Sequence, residues 1–268
     1  MSLPRVFVRE QISSDQERVA LDPEQLHHLV RVLRLADGEQ IELVDPAAAV
    51  YLAEISPATR QAAGASVRLL RRLDRAEDAP VRLAPFIELW QGYPKGSKLE
   101  EIIQKSVELG VDLIRPVLTE RSVARPEPEQ ALKKAGRWQR ISQMAASQSG
   151  RPRIPEVAVP QTLNQALQQL SPTETPGLVQ FVPWEDAAPQ LHLASWLSPD
   201  RLARAQHIRF VIGPEGGLGG GEIGRLTAAG FQPVSLGKNI LRTETAGPAV
   251  LAMLNYGQQL AEERISLG

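Results

Sequence analysis

His207-Ile-Arg-Phe-Val-Ile-Gly-Pro-Glu-Gly-Gly-Leu-Gly-Gly-Gly-Glu222 runs a strand-like apolar pattern into a glycine-rich loop and then into a helical segment. The pattern recurs downstream. Phe231 to Leu236 reads as a strand, Gly237-Lys-Asn-Ile-Leu-Arg-Thr-Glu-Thr-Ala246 follows it, and a last helix begins. Strand ends of this kind are where open α/β sheets hold their ligands. Glycine lets backbone amides and carbonyls come close to a ligand, because no Cβ intervenes. No G-x-x-x-x-G-K-[ST] spacing is present, so a P-loop is excluded, and Glu222 stands where a dinucleotide fingerprint starting at Gly217 would need its third glycine. Glu215 puts a carboxylate in the first loop, which disfavours a polyphosphate and suits a neutral or cationic ligand. Gly219 to Gly221 read equally well as a tight turn with glycines at positive φ.

Working outward, the chain of 268 residues is sized for two domains. Its 43% hydrophobic residues can bury a core, and 23% charged residues is ordinary for a soluble protein. With no N-terminal apolar leader and no run of about eighteen apolar residues, a cytoplasmic protein is expected, neither secreted nor membrane-spanning. Cysteine is absent, which excludes disulfides, cysteine-ligated zinc and iron–sulfur clusters. It also excludes a cysteine nucleophile. Four histidines without an H-E-x-x-H pattern predict no metal site. A net charge of −1 means that any nucleic-acid contact must come from a local patch.

Residues 1–72 read as a small β-rich unit. Val6 to Val8, Gln40 to Val44, Val50 to Ile55 and Ser66 to Leu70 are strand patterns. Asp22-Pro23 marks the start of a helix with an apolar stripe of Leu26, Leu29, Val30 and Leu33. Arg31 and Arg34 on that helix are either solvated surface arginines or an RNA-docking pair, and His27 and His28 read as structural. Residues 73–80 form a polar linker, and 81–268 a second domain that opens with a strand from Val81 to Leu89.

In that domain Lys95 to Leu109 is a helix, with Leu99, Ile102, Ile103 and Val107 as its buried stripe and Gly110 closing it. Lys98, Glu101, Lys105 and Glu108 share another face, a solvated ion-paired face on the plain reading. Lys95 and Lys98 begin the helix, where a cation opposes the macrodipole, so an anion such as phosphate is the expected partner. Val111 to Leu118 is a strand, and a helix from about Glu129 to Ser147 carries Lys133, Lys134, Arg137 and Arg140. Residues 95–153 hold twelve lysines and arginines against seven acids, whereas residues 1–72 hold nine against ten. Backbone phosphates are the natural partner of that local excess. Leu178 to Val182 is a buried strand closed by Pro183-Trp184-Glu185, with Trp184 a core or rim residue or a pocket wall. Pro189 to Pro199 reads as a surface insertion or helix. Strand and helix alternate at βαβ spacing, so a mostly parallel sheet flanked by helices is expected.

Gly213-Pro-Glu-Gly-Gly217 and Leu236-Gly-x-x-Ile-Leu-Arg-Thr-Glu-Thr-Ala246 resemble the two C-terminal motifs of the RsmE family, bacterial 16S rRNA uridine-N3 methyltransferases of the SPOUT class. Lys95-Gly-x-Lys-x-Glu-x-Ile-Ile-Gln-Lys-x-x-Glu-Leu-Gly-Val111, Gln148-Ser-Gly-Arg151 with Ile154-Pro-Glu156, Pro4-Arg-x-Phe7 and His27-His-Leu-Val-Arg-Val-Leu-Arg34 extend the likeness over nearly the whole chain. The resemblance implies an N-terminal PUA-like β-barrel that binds RNA and a C-terminal trefoil-knotted α/β domain. It further implies S-adenosylmethionine as methyl donor, 16S rRNA of the small subunit as substrate, a homodimer, no metal and no membrane.

On the same basis Gly213, Gly216, Gly217, Leu236, Gly237, Ile240 and Leu241 would hold the donor's adenosine, and Glu215 would favour its sulfonium or bind a hydroxyl. Arg5, Arg31, Arg34, Lys95, Lys98, Lys105, Gln148 and Arg151 would contact RNA. Ser147 stands where the family usually has glutamate, so no catalytic role attaches to that position. Arg242 would stabilise the uracil anion, with Glu244 as base or as the group that orients the arginine. Glu244, Thr243 and Thr245 also read as first-turn or capping residues of the last helix, with Pro248 in its opening turn. Val250, Leu251 and Leu254 are either interface or core. The rival classes are a non-catalytic RNA-binding protein on the same scaffold and a nucleotide-binding enzyme such as a dehydrogenase.

Overall fold

The computed structural model describes residues 3–13, 15–60, 65–73, 84–170, 176–188 and 191–266. Residues 74–80 of the predicted linker, the start of the strand predicted from Val81, and Pro189 lie outside the described residues. The chain divides into two compact units, Met1–Arg82 with Ala146–Ile154, and Leu83–Ala145 with Pro155–Gly268.

The first unit is a curled five-stranded sheet. Its strands are β1 (Arg5–Phe7), β2 (Arg18–Ala20), β3 (Gln40–Val44), β4 (Val50–Glu54) and β5 (Ser66–Arg72), in the order β1-β3-β4-β5-β2. Only β1 and β3 run parallel. Leu29, Ile41, Leu43, Ala53, Ile55 and Val67 fill its core. Helix α1 (Pro23–His27) starts as its sequence dictates. The Gln25 N–H donates to the Asp22 carboxylate at 2.9 Å, and the Asp22 N–H donates to the Gln25 side chain at 3.0 Å. Past His27 the turn widens, and the Leu33 N–H reaches the carbonyl of His28 at 2.9 Å. The extra residue in that turn rotates the stripe. Leu29 stays fully buried, but Leu33 is turned out to 40% exposure. The strand β2 carried no pattern that marked it in the sequence.

The second unit is a seven-stranded sheet of parallel pairs. In chain order its elements are β6 (Phe86–Gly92), α2 (Lys98–Glu108), β7 (Leu113–Leu118), α3 (Pro128–Ser149), β8 (Glu156–Val157), β9 (Gln161–Thr162), α4 (Leu163–Gln168), β10 (Leu178–Pro183), α5 (Leu193–Trp196), α6 (Pro199–Arg204), β11 (His207–Ile212), α7 (Gly220–Ala228), β12 (Gln232–Val234) and α8 (Thr243–Ser266). The sheet order is β12-β10-β11-β6-β7-β8, with β9 also on β7. Central strands β6 and β11 are buried on both faces, as parallel strands under helices must be.

The two faces carry different helices. Trp90, Val117, Val182 and Val211 pack under Leu163 and Ala166 of α4 and Ile223 and Leu226 of α7. On the other face α8 packs against β11, α2 and α6. The stripe of α2 is buried as its spacing predicts, and Gly110 closes the helix at φ 96°. Val250, Leu251 and Leu254 of α8 are fully buried, so they are core, each worth roughly 1.5–3 kcal/mol. Pro248 falls inside α8 rather than in its opening turn. No helix among the described residues is long and apolar enough to cross a membrane.

Candidate active site

Strands β12, β10 and β11 lie side by side and parallel, so their C-terminal ends open on one edge. Three loops leave that edge and enclose a cavity of about 760 Å³. The first follows β11 and carries Gly213, Glu215, Gly216 and Gly217. The second follows β12 and carries Leu236, Gly237, Ile240, Leu241 and Arg242, with Glu244 just beyond it in the first turn of α8. All ten of these residues line the cavity. The sequence marks the third loop, Pro183 to Asp186 at the end of β10, only through Trp184, as one alternative. Trp184 does line the cavity, and its ring also packs on the core. The signal that could have found this loop is position: β10 lies between the two strands that were recognised.

The first loop turns tightly. The Gly217 N–H donates to the carbonyl of Pro214 at 2.9 Å, with Gly217 at φ 70°. A Cβ on Gly213 would lie 3.1 Å from the Gly217 backbone, tight enough that the turn would have to give by a few tenths of an ångström. Arg121 backs the loop, its Nη1 donating to the carbonyl of Gly216 at 2.8 Å. The glycines that follow have another purpose. Gly219 caps α7, and buried Glu222 accepts from the Gly219 N–H at 3.0 Å and the Glu120 N–H at 2.9 Å. Gly219 to Gly221 are therefore a helix entry, and they do not line the cavity.

A buried relay joins the first two loops. Gln91 Nε2 donates to Thr243 Oγ1 at 2.8 Å, and Thr243 Oγ1 donates to the carbonyl of Gly213 at 2.7 Å. Neither Gln91 nor the bracing role of Thr243 was marked in the sequence. Beside this relay sits a charged cluster. Lys98 Nζ lies 3.1 Å from Glu215 Oε1 and 3.3 Å from Glu244 Oε2, and the Lys95 N–H donates to Glu215 Oε1 at 3.1 Å. Arg242 Nη1 is 4.0 Å from Glu244 Oε1, with its side chain 84% exposed. The anion that the basic start of α2 calls for is thus internal: it is Glu215, at a helix start that Ser97 leaves without a side-chain cap.

The ionisation of the cluster follows. Burial works to raise the carboxyl of Glu215, but its own backbone N–H, that of Lys95, and Lys98 outweigh it and hold the group below the usual range. The backbone N–H of Glu244, with Lys98 and Arg242, lowers that carboxyl against a burial effect of opposite sign. The hydrogen bond to Glu215 raises Lys98, supported by Glu244 and opposed by burial. At neutral pH the cluster holds two carboxylates and two cations, and Glu244 is a weak proton acceptor.

The residues expected to contact RNA fall into different environments. Arg31, Arg34 and Gln148 are exposed, and Arg151 is half-buried. Arg34 adopts φ 57°, uncommon for a residue with a side chain. Arg5 is a correction. Its side chain is 5% exposed, and its guanidinium donates to the Glu42 carboxylate and the Gly150 carbonyl, so it is not offered to a phosphate. Lys105 pairs with Glu101 at 2.6 Å on the solvated face of α2. Lys98, as above, is engaged inside the cavity. On α3, Lys133 and Arg140 are exposed, while Arg137 pairs with Glu100 at 2.8 Å and Lys134 donates to the Tyr93 hydroxyl at 3.0 Å.

Residues 82–255 match the family described as an RNA methyltransferase domain, and residues 21–65 match the RNA methyltransferase PUA domain. A ribosomal RNA small subunit methyltransferase E from Synechocystis is 36% identical over 255 residues, covering 95% of this chain and 78% of that one. The protein of the same name from Bacillus subtilis is 31% identical, covering 88% and 89%. The chain belongs to the ribosomal RNA small subunit methyltransferase E family. A crystal structure of a family member from Neisseria gonorrhoeae, bound to S-adenosyl methionine, superimposes with a TM-score of 0.79 at 32% identity, covering 95% of this chain and 98% of that one. A methyltransferase from Legionella pneumophila in complex with the same cofactor gives 0.79 at 29% identity, with 96% and 98% covered. The PUA match falls within the first unit described above, and the methyltransferase match covers most of the second together with Ala146–Ile154.

Proposed function

We propose that this chain transfers a methyl group from S-adenosylmethionine to N3 of a uridine in the small-subunit ribosomal RNA, working in the cytoplasm as a homodimer. The observation that carries the reading is the cavity at three adjacent strand ends, walled by two glycine loops, with an arginine at its mouth. The cavity suits the donor on its own terms. Glu185, Asp186, Glu215 and Glu244 face it against Lys98, Lys238 and Arg242, an excess of one acid, which favours a cation. Ile240, 87% exposed on the rim, offers apolar surface to a base, and the loop backbone can approach closely where glycine removes Cβ.

When bound, the donor supplies an electrophilic methyl group on sulfur. The chain's part is to hold it and to prepare the acceptor. Gly213, Gly216, Gly217, Leu236, Gly237, Ile240 and Leu241 bind the adenosine through backbone groups and apolar edges. Uridine N3 holds its proton to well above neutral pH, so the site must favour the anion. Arg242 does so by placing a fixed cation beside the uracil. The N3 proton is released to solvent, and Glu244, held as a carboxylate, orients Arg242 beside the uracil anion. Arg31, Arg34, Gln148, Arg151 and the exposed bases of α3 contact the RNA backbone. Met253, Tyr256 and Leu260, at 43%, 65% and 36% exposure on α8, form the dimer surface. A trefoil-knotted path of the chain through the cavity loops is part of this proposal, on the family resemblance alone.

Calorimetry tests the donor directly. S-adenosylmethionine is expected to bind and NAD not to bind, and the reverse would replace this reading with a dehydrogenase. Mass spectrometry of rRNA nucleosides from a deletion strain tests the product. N3-methyluridine should be missing and should return when the protein is resupplied.

A further inference from the structure

We infer that Lys98 is a positioning residue of the donor cavity: its ammonium ties the first glycine loop to the head of α8 and so holds Arg242 over the acceptor. The inference rests on the methyltransferase reading and adds a residue that the reading does not require. Lys98 leaves the first turn of α2, an element that contributes no other residue to the cavity wall. Its Nζ stands 3.1 Å from Glu215 of the loop after β11 and 3.3 Å from Glu244 at the start of α8. Those acids belong to the two different segments that must close around one ligand. Without a cation between them, two carboxylates facing the same cavity repel, and the loops move apart.

The relay through Gln91 and Thr243 fastens the same two segments at the carbonyl of Gly213. Lys98 is a second fastening, through Glu215 further along the loop. The chain also reaches Arg242 by this route, since Glu244 is the partner of both Lys98 and Arg242. A lysine suits the place. Its compact charge satisfies two acids from different directions, whereas the planar fork of arginine fits one carboxylate face-on.

The test is Lys98→Met and Lys98→Arg in the full-length protein. S-adenosylmethionine affinity is measured by calorimetry without RNA, RNA affinity by filter binding without donor, and turnover across pH. Lys98→Met should weaken donor binding tenfold or more and leave RNA affinity within twofold. It should also move the acid limb of the kcat profile to higher pH, because Glu244 loses its cation. Lys98→Arg should recover part of the donor affinity. Should Lys98→Met fail to fold, Lys98→Gln removes the same charge with a polar side chain and must weaken the donor in the same way, with RNA affinity kept. Unchanged donor affinity with weakened RNA binding in Lys98→Met would overturn the inference and make Lys98 a phosphate contact. A wild-type protein that binds no donor overturns the functional reading instead.

Discussion

Arg242 stands at the head of α8, largely exposed and 4.0 Å from the Glu244 carboxylate. A side chain so placed contributes little to folding, so its removal reports on chemistry. Arg242→Ala is expected to keep donor affinity near wild type and to lose at least a hundredfold in kcat, an effect of about 3 kcal/mol on the barrier. Gly92 is the opposite case. A Cβ there would lie 2.5 Å from the backbone nitrogen of Pro214, and backbone cannot swing aside as a side-chain tip can. Gly92→Ala should cost about 3 kcal/mol in urea denaturation and weaken donor binding with it, since Pro214 leads into the first loop. The two residues also show what single positions disclose. Arg242, Glu244 and the loop glycines were singled out by the family motifs they stand in, and the structure places them on the cavity wall. Gln91 and Gly92 were not, because only the fold brings them against a loop more than a hundred residues away.

Among the elements, β6 carries a feature that its sequence does not announce. Glu88 lies mid-strand at 3% exposure and accepts from Trp90 Nε1 at 2.6 Å, Arg209 Nε at 2.8 Å and Arg115 Nε at 3.2 Å, with His207 Nε2 at 3.0 Å. Burial alone would push this carboxyl up. The His207 hydrogen bond, the Arg209 charge and the Trp90 and Arg209 hydrogen bonds outweigh it and bring it down to about 2. A carboxyl depressed in the folded state stabilises above its unfolded value, and that contribution is lost as pH falls from about 4.5 to about 2. The contribution is on the order of 3 kcal/mol. Glu88→Gln leaves the arginines without their counter-charge and should cost about 3–5 kcal/mol at pH 7 in urea denaturation, while flattening the stability curve below pH 4.5. Elements with one periodicity, such as α2 and β3, were read correctly from spacing. The wide turn after α1 and the two-residue strands β8 and β9 were not, because a π-turn and a two-residue ladder leave no repeating pattern.

For the molecule as a whole, the parallel sheet was legible from strand and helix alternation, and the N-terminal β unit from its run of strand patterns, where the barrel that the resemblance implies is a curled five-stranded sheet. The order of the strands was not. Spacing says that β6 and β11 are strands, but it does not say that they are neighbours. Nor could it tell core from surface on α8, where buried Val250, Leu251 and Leu254 alternate with exposed Met253 and Tyr256. If the exposed stripe is the dimer surface, Met253→Glu with Tyr256→Glu should convert the species seen by light scattering from twice the chain mass to the chain mass. Donor affinity measured alongside then reports whether a lone chain keeps a closed cavity.

The pairing of β6 with β11 also governs what happens while the chain is being made. Phe86 to Gln91 emerges early from a ribosome, yet its ladder partner, His207 to Ile212, follows only after another hundred residues and more. Until then the hydrophobic edge of β6 that faces β11 waits uncovered, a hazard for which a nascent-chain holdase is the natural remedy. Synthesis that stops before β11 leaves that edge of β6 without its ladder partner.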